Sequence, residues 1–323
     1  MQKTLILKLG ALGDVLRTTT LLHIIKGEIL WLTKENAIPL LQNIKKINPI
    51  PWSKKDLLLK EEFDLVISLD DEKEACSFAS KLKTKKLIGA CLKDGKLAYT
   101  DEAKGWFDMG LISEYGKEKA DLLKMQNKKT VQEHLYAMLD KKFHGQKYCF
   151  SLTEQEKNKA KKILNKIPKE KPLIGINTGA GGRWKTKSWD EGSTIALIKN
   201  LLENYYVLLL GGKEEKTRNK KIKESVPDVI DAGSNHDLRT FAAFVGECDA
   251  VITADSLLLH LAIAANKKTI AIFNCTSPDE IYDYGIVRKL VNPYLNEWFY
   301  NTKENDKIRK AITPKIVEEA LIE

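Results

Sequence analysis

Short runs of branched apolar residues alternate with amphipathic stretches along the whole chain. In the first half "TLILKL", "EILWLT", "DLVISL" and "KKLIG" are such runs, bounded by turn residues, and they predict strands. Helical spacing lies between them, from Asp14 to Lys26 and from Lys73 to Leu82. In the second half "PLIGINTG", "YYVLLLGG", "DVIDAG", "DAVITAD" and "TIAIFN" are continuous apolar runs, as expected of a parallel sheet buried on both faces. "TEQE" at Thr153, "SWDE" at Ser188 and "SPDE" at Ser277 fit the capping-box pattern and predict helix starts. Residues 92–129 are polar and weakly periodic and read as a long loop. The tail "TPKIVEEALIE" reads as a closing helix with a Thr-Pro start. This alternation predicts doubly wound α/β domains. With 323 residues the chain is too long for one comfortable core, and a boundary falls near 143–152.

Composition adds constraints rather than a function. No apolar run approaches the roughly 18–20 residues that span a bilayer. Lys8 and Gly10 interrupt the N-terminal run too early for a signal peptide. The cysteines, Cys76, Cys91, Cys149, Cys248 and Cys275, form no CxxC pair, so they read as reduced thiols in a cytosol, with no zinc site. The net charge of +9 favours an anionic partner: nucleic acid, an acidic membrane face or a phosphorylated substrate. No recognised nucleic-acid motif accompanies it. The cluster "KNKAKKILNK" has helical spacing, and a solvated helix face explains it equally well.

Ligands of open parallel sheets bind outside the carboxyl ends of the strands, so the loops there hold the candidate chemistry. The first is "KLGALGDVLRTTTLL", where Gly10 and Gly13 turn the chain and Asp14 stands at the head of a helix. A carboxylate there would repel phosphate, so Asp14 either caps its helix or has a chemical task. In "TADSLLLHLAIA" a strand ends at Asp255 and Ser256 caps a helix whose first N–H groups form an anion site, with His260 one turn on. A capped helix with a buried His260 is the alternative. "NTGAGGRWKTKSW" offers small residues for close backbone approach, then Lys185 and Lys187 before the helix start assigned to Ser188. Two lysines beside free helix N–H groups would neutralise a diphosphate without a metal. Asp70-Asp71-Glu72 lacks the spacing of a metal-binding Asp-x-Asp pair, and neither a Walker lysine nor a GxGxxG fingerprint is present.

Together "LKLGALGDVLRTTTLL", "GINTGAGGRWKTKSW", "LLLGGKEE", "ADSLLLHLAIA" and "IFNCTSPDEIYDYG" resemble glycosyltransferase family nine, the ADP-heptose:lipopolysaccharide heptosyltransferases. "WFDMGLIS" to "EHLYAML" also resembles a middle segment of one subgroup. The resemblance implies a GT-B fold of two Rossmann-like domains facing across a cleft. It places an acceptor domain at 1–150, closed by a returning helix at 304–323, and a nucleotide-sugar domain at 151–303. It implies an inverting, metal-independent transfer of heptose from ADP-heptose to a lipopolysaccharide core or related glycan. Asp14 matches the family's general base, with Gly10 and Gly13 on the acceptor-side loop. Lys187 matches the lysine on the donor phosphates, and Lys185 is its neighbour. Thr178, Gly179 and Ala180 match small residues beneath the donor. Asp255 resembles the carboxylate at the sugar, and Ser256, Leu257 and His260 match the pyrophosphate-binding helix start. Leu257 stands where the family has glycine, and Thr20 where it has proline. The implied location is cytoplasmic, at the inner face of the membrane, where the basic surface meets anionic lipid. A nucleotide-sugar epimerase of the same fold and a non-catalytic nucleotide-sugar-binding protein are the alternatives.

Overall fold

The computed structural model describes residues 1–110, 114–181 and 184–322. Residues 111–113 of "WFDMGLIS", together with Gly182 and Arg183 of "NTGAGGRWKTKSW", lie outside the described residues. The chain forms two compact units. Met1–Ser151 and Asp279–Tyr282 make the first; Leu152–Pro278 and the chain from Asp283 onward make the second.

The first unit contains β1 (Lys3–Leu7), α1 (Leu12–Thr18), β2 (Glu28–Thr33), α2 (Ile38–Leu41), β3 (Ile47–Pro51), β4 (Glu62–Ser68), α3 (Lys73–Ala79), β5 (Lys83–Lys93), β6 (Lys96–Tyr99), α4 (Asp101–Phe107), α5 (Lys117–Gln126) and α6 (Val131–Ala137). The sheet order is β3-β2-β1-β4-β5-β6. All pairs are parallel except β5–β6. Leu5, Ile6 and Leu7 of central β1 are fully buried, which is why that strand reads as an unbroken apolar run.

Two expectations change here. The helix expected from Asp14 to Lys26 ends as α-helix at Thr18 and continues as a 3₁₀ turn, Thr19–His23. A run of three threonines, β-branched and able to bond back to the preceding turn, favours that change. Thr18, Thr19 and Thr20 hydroxyls donate to the carbonyls of Asp14, Leu16 and Arg17. Within 92–129, the expected loop, lie β6, α4 and α5. Asp94-Gly95, both at positive φ, close the β5–β6 hairpin as an Asp-Gly turn.

The second unit contains α7 (Glu154–Leu164), β7 (Leu173–Asn177), α8 (Glu191–Leu201), β8 (Tyr206–Leu210), α9 (Lys216–Ser225), β9 (Ile230–Asp231), α10 (Leu238–Glu247), β10 (Ala250–Ala254), α11 (Leu257–Ala264), β11 (Lys268–Phe273), β12 (Val287–Val291), α12 (Asp306–Lys310) and α13 (Pro314–Ile322). Its sheet, β12-β11-β10-β7-β8-β9, is parallel throughout. Each unit therefore runs outward in both directions from its first strand, the doubly wound order that places a switch point between β1 and β4 and between β7 and β10.

Helix starts differ from the sequence reading in two of three places. Thr153 caps α7 in a full capping box with Glu156. Asp190, not Ser188, caps α8, accepting from Ser193 N–H at 2.8 Å. No helix starts at Ser277; the chain there is irregular. The tail helix read from the sequence is present as α13, and by packing residues 304–322 group with the second unit. Val317, Ala320 and Leu321 of α13 pack with Leu197 and Leu201 of α8. The Trp189 indole donates to Ile312 O at 2.9 Å, and Lys268 Nζ donates to Leu321 O at 2.6 Å. A buried apolar stripe on α13 pins it to its own unit.

Candidate functional site

The switch point of the first unit gathers four charged side chains. Past β1, Lys8 Nζ lies 2.5 Å from the Asp70 carboxylate, which follows β4. Asp70 also accepts from the Leu9 N–H. This pair bridges the two strand ends. Burial lowers the Lys8 pKa, but the carboxylates of Asp70 and Asp14 outweigh it and hold the ammonium above its usual range. The Gly10–Ala11 peptide bond is cis. A Cβ on Gly10 would meet nothing within 4 Å, so this glycine leaves the backbone open rather than relieving a clash. Gly13 is buried inside α1.

Asp14 is the third residue of α1, and the helix cap, Ala11, has no side-chain acceptor. Asp14 supplies one instead: its Oδ2 accepts from the Ala11 N–H at 3.3 Å. Its Oδ1 lies 2.7 Å from Arg17 Nη2, one turn on. The Asp14 side chain remains 35% exposed. The capping role weighed from sequence is thus present, at a long distance, beside an ion pair that sequence reasoning missed. The i, i+3 spacing of Asp14 and Arg17 was the available signal. Elsewhere in this unit a cavity of about 690 Å³ is lined by Trp106, Met109, Tyr115, Lys119, His134 and Met138, among others.

The second unit holds its candidates at the ends of β7 and β10. Asn177 Nδ2, closing β7, donates to Gly179 O at 2.8 Å and to Ser256 Oγ at 3.0 Å. One side chain thus ties the two loops at the switch point. Ser256 caps α11, its Oγ accepting from Leu258 N–H at 3.3 Å. Leu257 is the first residue of that helix and is partly exposed. Thr178 is buried; its carbonyl accepts from Arg218 Nη1 at 2.6 Å and its hydroxyl bonds Asn219 Oδ1. Gly179 lies close under Glu215: an added Cβ would stand 2.0 Å from Glu215 Oε1, so a side chain there would need Glu215 to move. Ala180 follows, partly exposed.

The structure brings Lys187 and Asp255 together, Nζ to Oδ2 at 3.1 Å, with both side chains under a fifth exposed. Burial would raise the Asp255 pKa, but Lys187 and then His260 overcome it and hold the carboxylate below its usual range. His260 itself is buried. Lys185, in the same 3₁₀ turn as Lys187, is exposed. Nearby burial pushes the Cys275 thiol up to about 11. Glu215, at the end of the loop after β8, was not singled out by sequence, although that loop sits at a strand's carboxyl end. Its Oε2 accepts from Gly212 N–H at 2.8 Å. Among the described residues no cluster of three or more His, Cys, Asp or Glu is placed to hold a metal ion.

Comparison with known proteins supplies a family. The profile of glycosyltransferase family 9 (heptosyltransferase) matches residues 53–312. Lipooligosaccharide heptosyltransferase 2 of Haemophilus influenzae is 27% identical over 165 residues, which is 48% of this chain and 47% of that protein. The chain thus spans about half the length of this relative, and less of others. In three dimensions the ADP-heptose lipopolysaccharide heptosyltransferase II of E. coli aligns over 100% of this chain and 98% of its own, at 18% identity and TM-score 0.70. The E. coli heptosyltransferase WaaC with ADP-2-deoxy-2-fluoro heptose aligns over 99% of each chain at 16% identity and TM-score 0.62.

Proposed function

The chain belongs to glycosyltransferase family 9, and from that premise we propose that it is an inverting heptosyltransferase acting on a lipopolysaccharide core or related glycan. ADP-heptose is the proposed donor, because a structural neighbour is described with an ADP-heptose analogue. The observation that carries the reading is the loop cluster of the second unit: Lys187 beside the capped start of α11, with Gly179, packed against Glu215, in the loop after β7.

The chemistry follows from charge development. The acceptor hydroxyl oxygen attacks the anomeric carbon, the bond to the diphosphate oxygen breaks, and the configuration inverts. The hydroxyl proton passes to Asp14, whose partly exposed carboxylate is available to a substrate. The departing diphosphate gains negative charge, which Lys187 and the first-turn N–H groups of α11 stabilise. Asp255 next to a diphosphate would be unfavourable alone; its pairing with Lys187 and the influence of His260 offset that. The cation at this site is a lysine, so the transfer is proposed to need no metal. Trp106, Tyr115 and Lys119 in the cavity of the first unit suit a phosphorylated sugar of the acceptor, by ring stacking and charge. Among the described residues no helix is long and apolar enough to cross a membrane. The net charge of +9 is proposed to hold the protein at the anionic inner face of the cytoplasmic membrane.

The test is conversion of ADP-heptose, in EDTA, with heptose-deficient lipopolysaccharide as acceptor. ADP release and an inverted linkage by NMR are expected only when both substrates are present. Donor conversion without acceptor would mean an epimerase instead. Dependence on added metal would end the metal-free part.

A further inference from the structure

Asp14 is held by a chain of alternating charges that reaches through α1 to a distant part of the sequence. Arg17 Nη2 contacts Asp14 Oδ1 at 2.7 Å, and Arg17 Nη1 lies 4.0 Å from Glu280 Oε2. The other Glu280 oxygen lies 3.4 Å from Lys124 Nζ, which also stands over the Trp106 ring at 5.8 Å. The Arg17 and Glu280 side chains are 11% and 7% exposed. Two cations and two carboxylates thus alternate in a mostly dry setting, where their placement counts more than at a surface.

Glu280 has little freedom. Its carbonyl accepts from the Val131 N–H at 3.1 Å, at the first residue of α6. Ile281 beside it is buried, and the Tyr282 ring packs edge-on against Phe143 at 5.0 Å. Residues 279–282 follow the loop after β11 in sequence, yet they are part of the first unit. The sequence "SPDE" suggested a helix cap; the structure gives its glutamate a different setting.

A guanidinium against a general base has two opposed effects. It fixes the carboxylate's direction, which helps proton transfer. It also favours the anion, which weakens the base. A second carboxylate on the far side of the guanidinium keeps the first effect and reduces the second. We propose that Arg17 and Glu280 are positioning residues for the transfer reaction: Arg17 aims the Asp14 carboxylate, and Glu280 anchors Arg17 and draws on its charge so that Asp14 keeps its basicity. The inference rests on the reading of Asp14 as the general base.

The test uses the full chain, with ADP-heptose and heptose-deficient lipopolysaccharide, comparing D14N, R17K, R17M and E280Q. Glu280→Gln keeps the shape and removes the charge. Its kcat should fall about tenfold, and R17M should fall about a hundredfold, the scale of a misplaced catalytic group. R17K should lie between wild type and R17M. The KM for donor and the calorimetric affinity for ADP should stay at wild-type values in all of them. A purely structural network would lower the melting temperature and leave kcat per folded molecule unchanged; that result overturns the proposal. So does wild-type kcat in E280Q and R17K while D14N is inactive. Wild-type turnover in D14N would instead remove Asp14 as the base, and the positioning role with it.

Discussion

The two units share a strand order and differ in what they place at the switch point. In the first, a side-chain ion pair, Lys8–Asp70, joins the two strand ends, and the loop after β1 presents a carboxylate on a short helix. In the second, a neutral amide, Asn177, joins them, and the loops present a capped helix start with a lysine–aspartate pair. One topology thus carries two different arrangements, a carboxylate presented beside an ion pair in the first unit and a capped helix start beside an ion pair in the second. The glycines follow the same division. Gly10 faces open space, whereas Gly179 is hemmed in by Glu215.

The largest effect should come from breaking the division at its chemical end. D14N should lose turnover by about 10²–10⁴-fold, the range of a general base, in a steady-state transfer assay. The glycine contrast comes next. G179A should drive a Cβ into the Glu215 carboxylate and weaken ADP binding by about tenfold, or unsettle the loop at about 1–3 kcal/mol, read by calorimetry and denaturant melts. G10A should stay within about 0.5 kcal/mol of wild type. If the two alanines behave alike, the contrast is wrong.

The smallest effect lies away from both switch points. Arg239 makes a bidentate pair with Glu156, joining α10 to the start of α7. The Arg239 hydrogen bond is the largest cause that lowers the Glu156 pKa to about 2. An unfolded glutamate titrates near 4.3. Because the folded pKa is the lower one, this stabilisation is full above the unfolded value and is lost as the pH falls towards 2. E156Q should therefore cost about 2 kcal/mol at pH 7, discounted for solvent screening, and the gap in melting temperature from wild type should narrow below about pH 4 and close only at about pH 2. A gap that does not narrow between about pH 5 and pH 2 would place the effect in packing instead.

Periodicity carried most of the fold. The strands buried on both faces, β1, β2, β4, β7, β8, β10 and β11, are all legible as apolar runs. Of the edge strands, β9 was legible in "DVIDAG", whereas β3, β6 and β12 were not. In β3, "INPIP", two prolines suppress the strand signal, yet an edge strand tolerates them. In β12, "VRKLV", charges that face solvent break the run. Among candidate residues, loops at strand ends were legible by position, which located Asp14, Thr178, Lys187 and Asp255. Their partners were not. Glu280 lies 266 residues from Asp14 in sequence, and only folding puts it near Arg17. Asn177 reads as the last residue of a strand until its amide is seen to reach Ser256. Local patterns report local structure, and contacts across the sheet need the register.

The most direct test titrates ADP into wild type, D14N and K187M by calorimetry in EDTA. The division of tasks predicts that D14N binds ADP as wild type does. K187M should bind about 10–100-fold more weakly, the cost of one charge-assisted contact. Equal ADP affinity in wild type and K187M, or a loss confined to D14N, would contradict it.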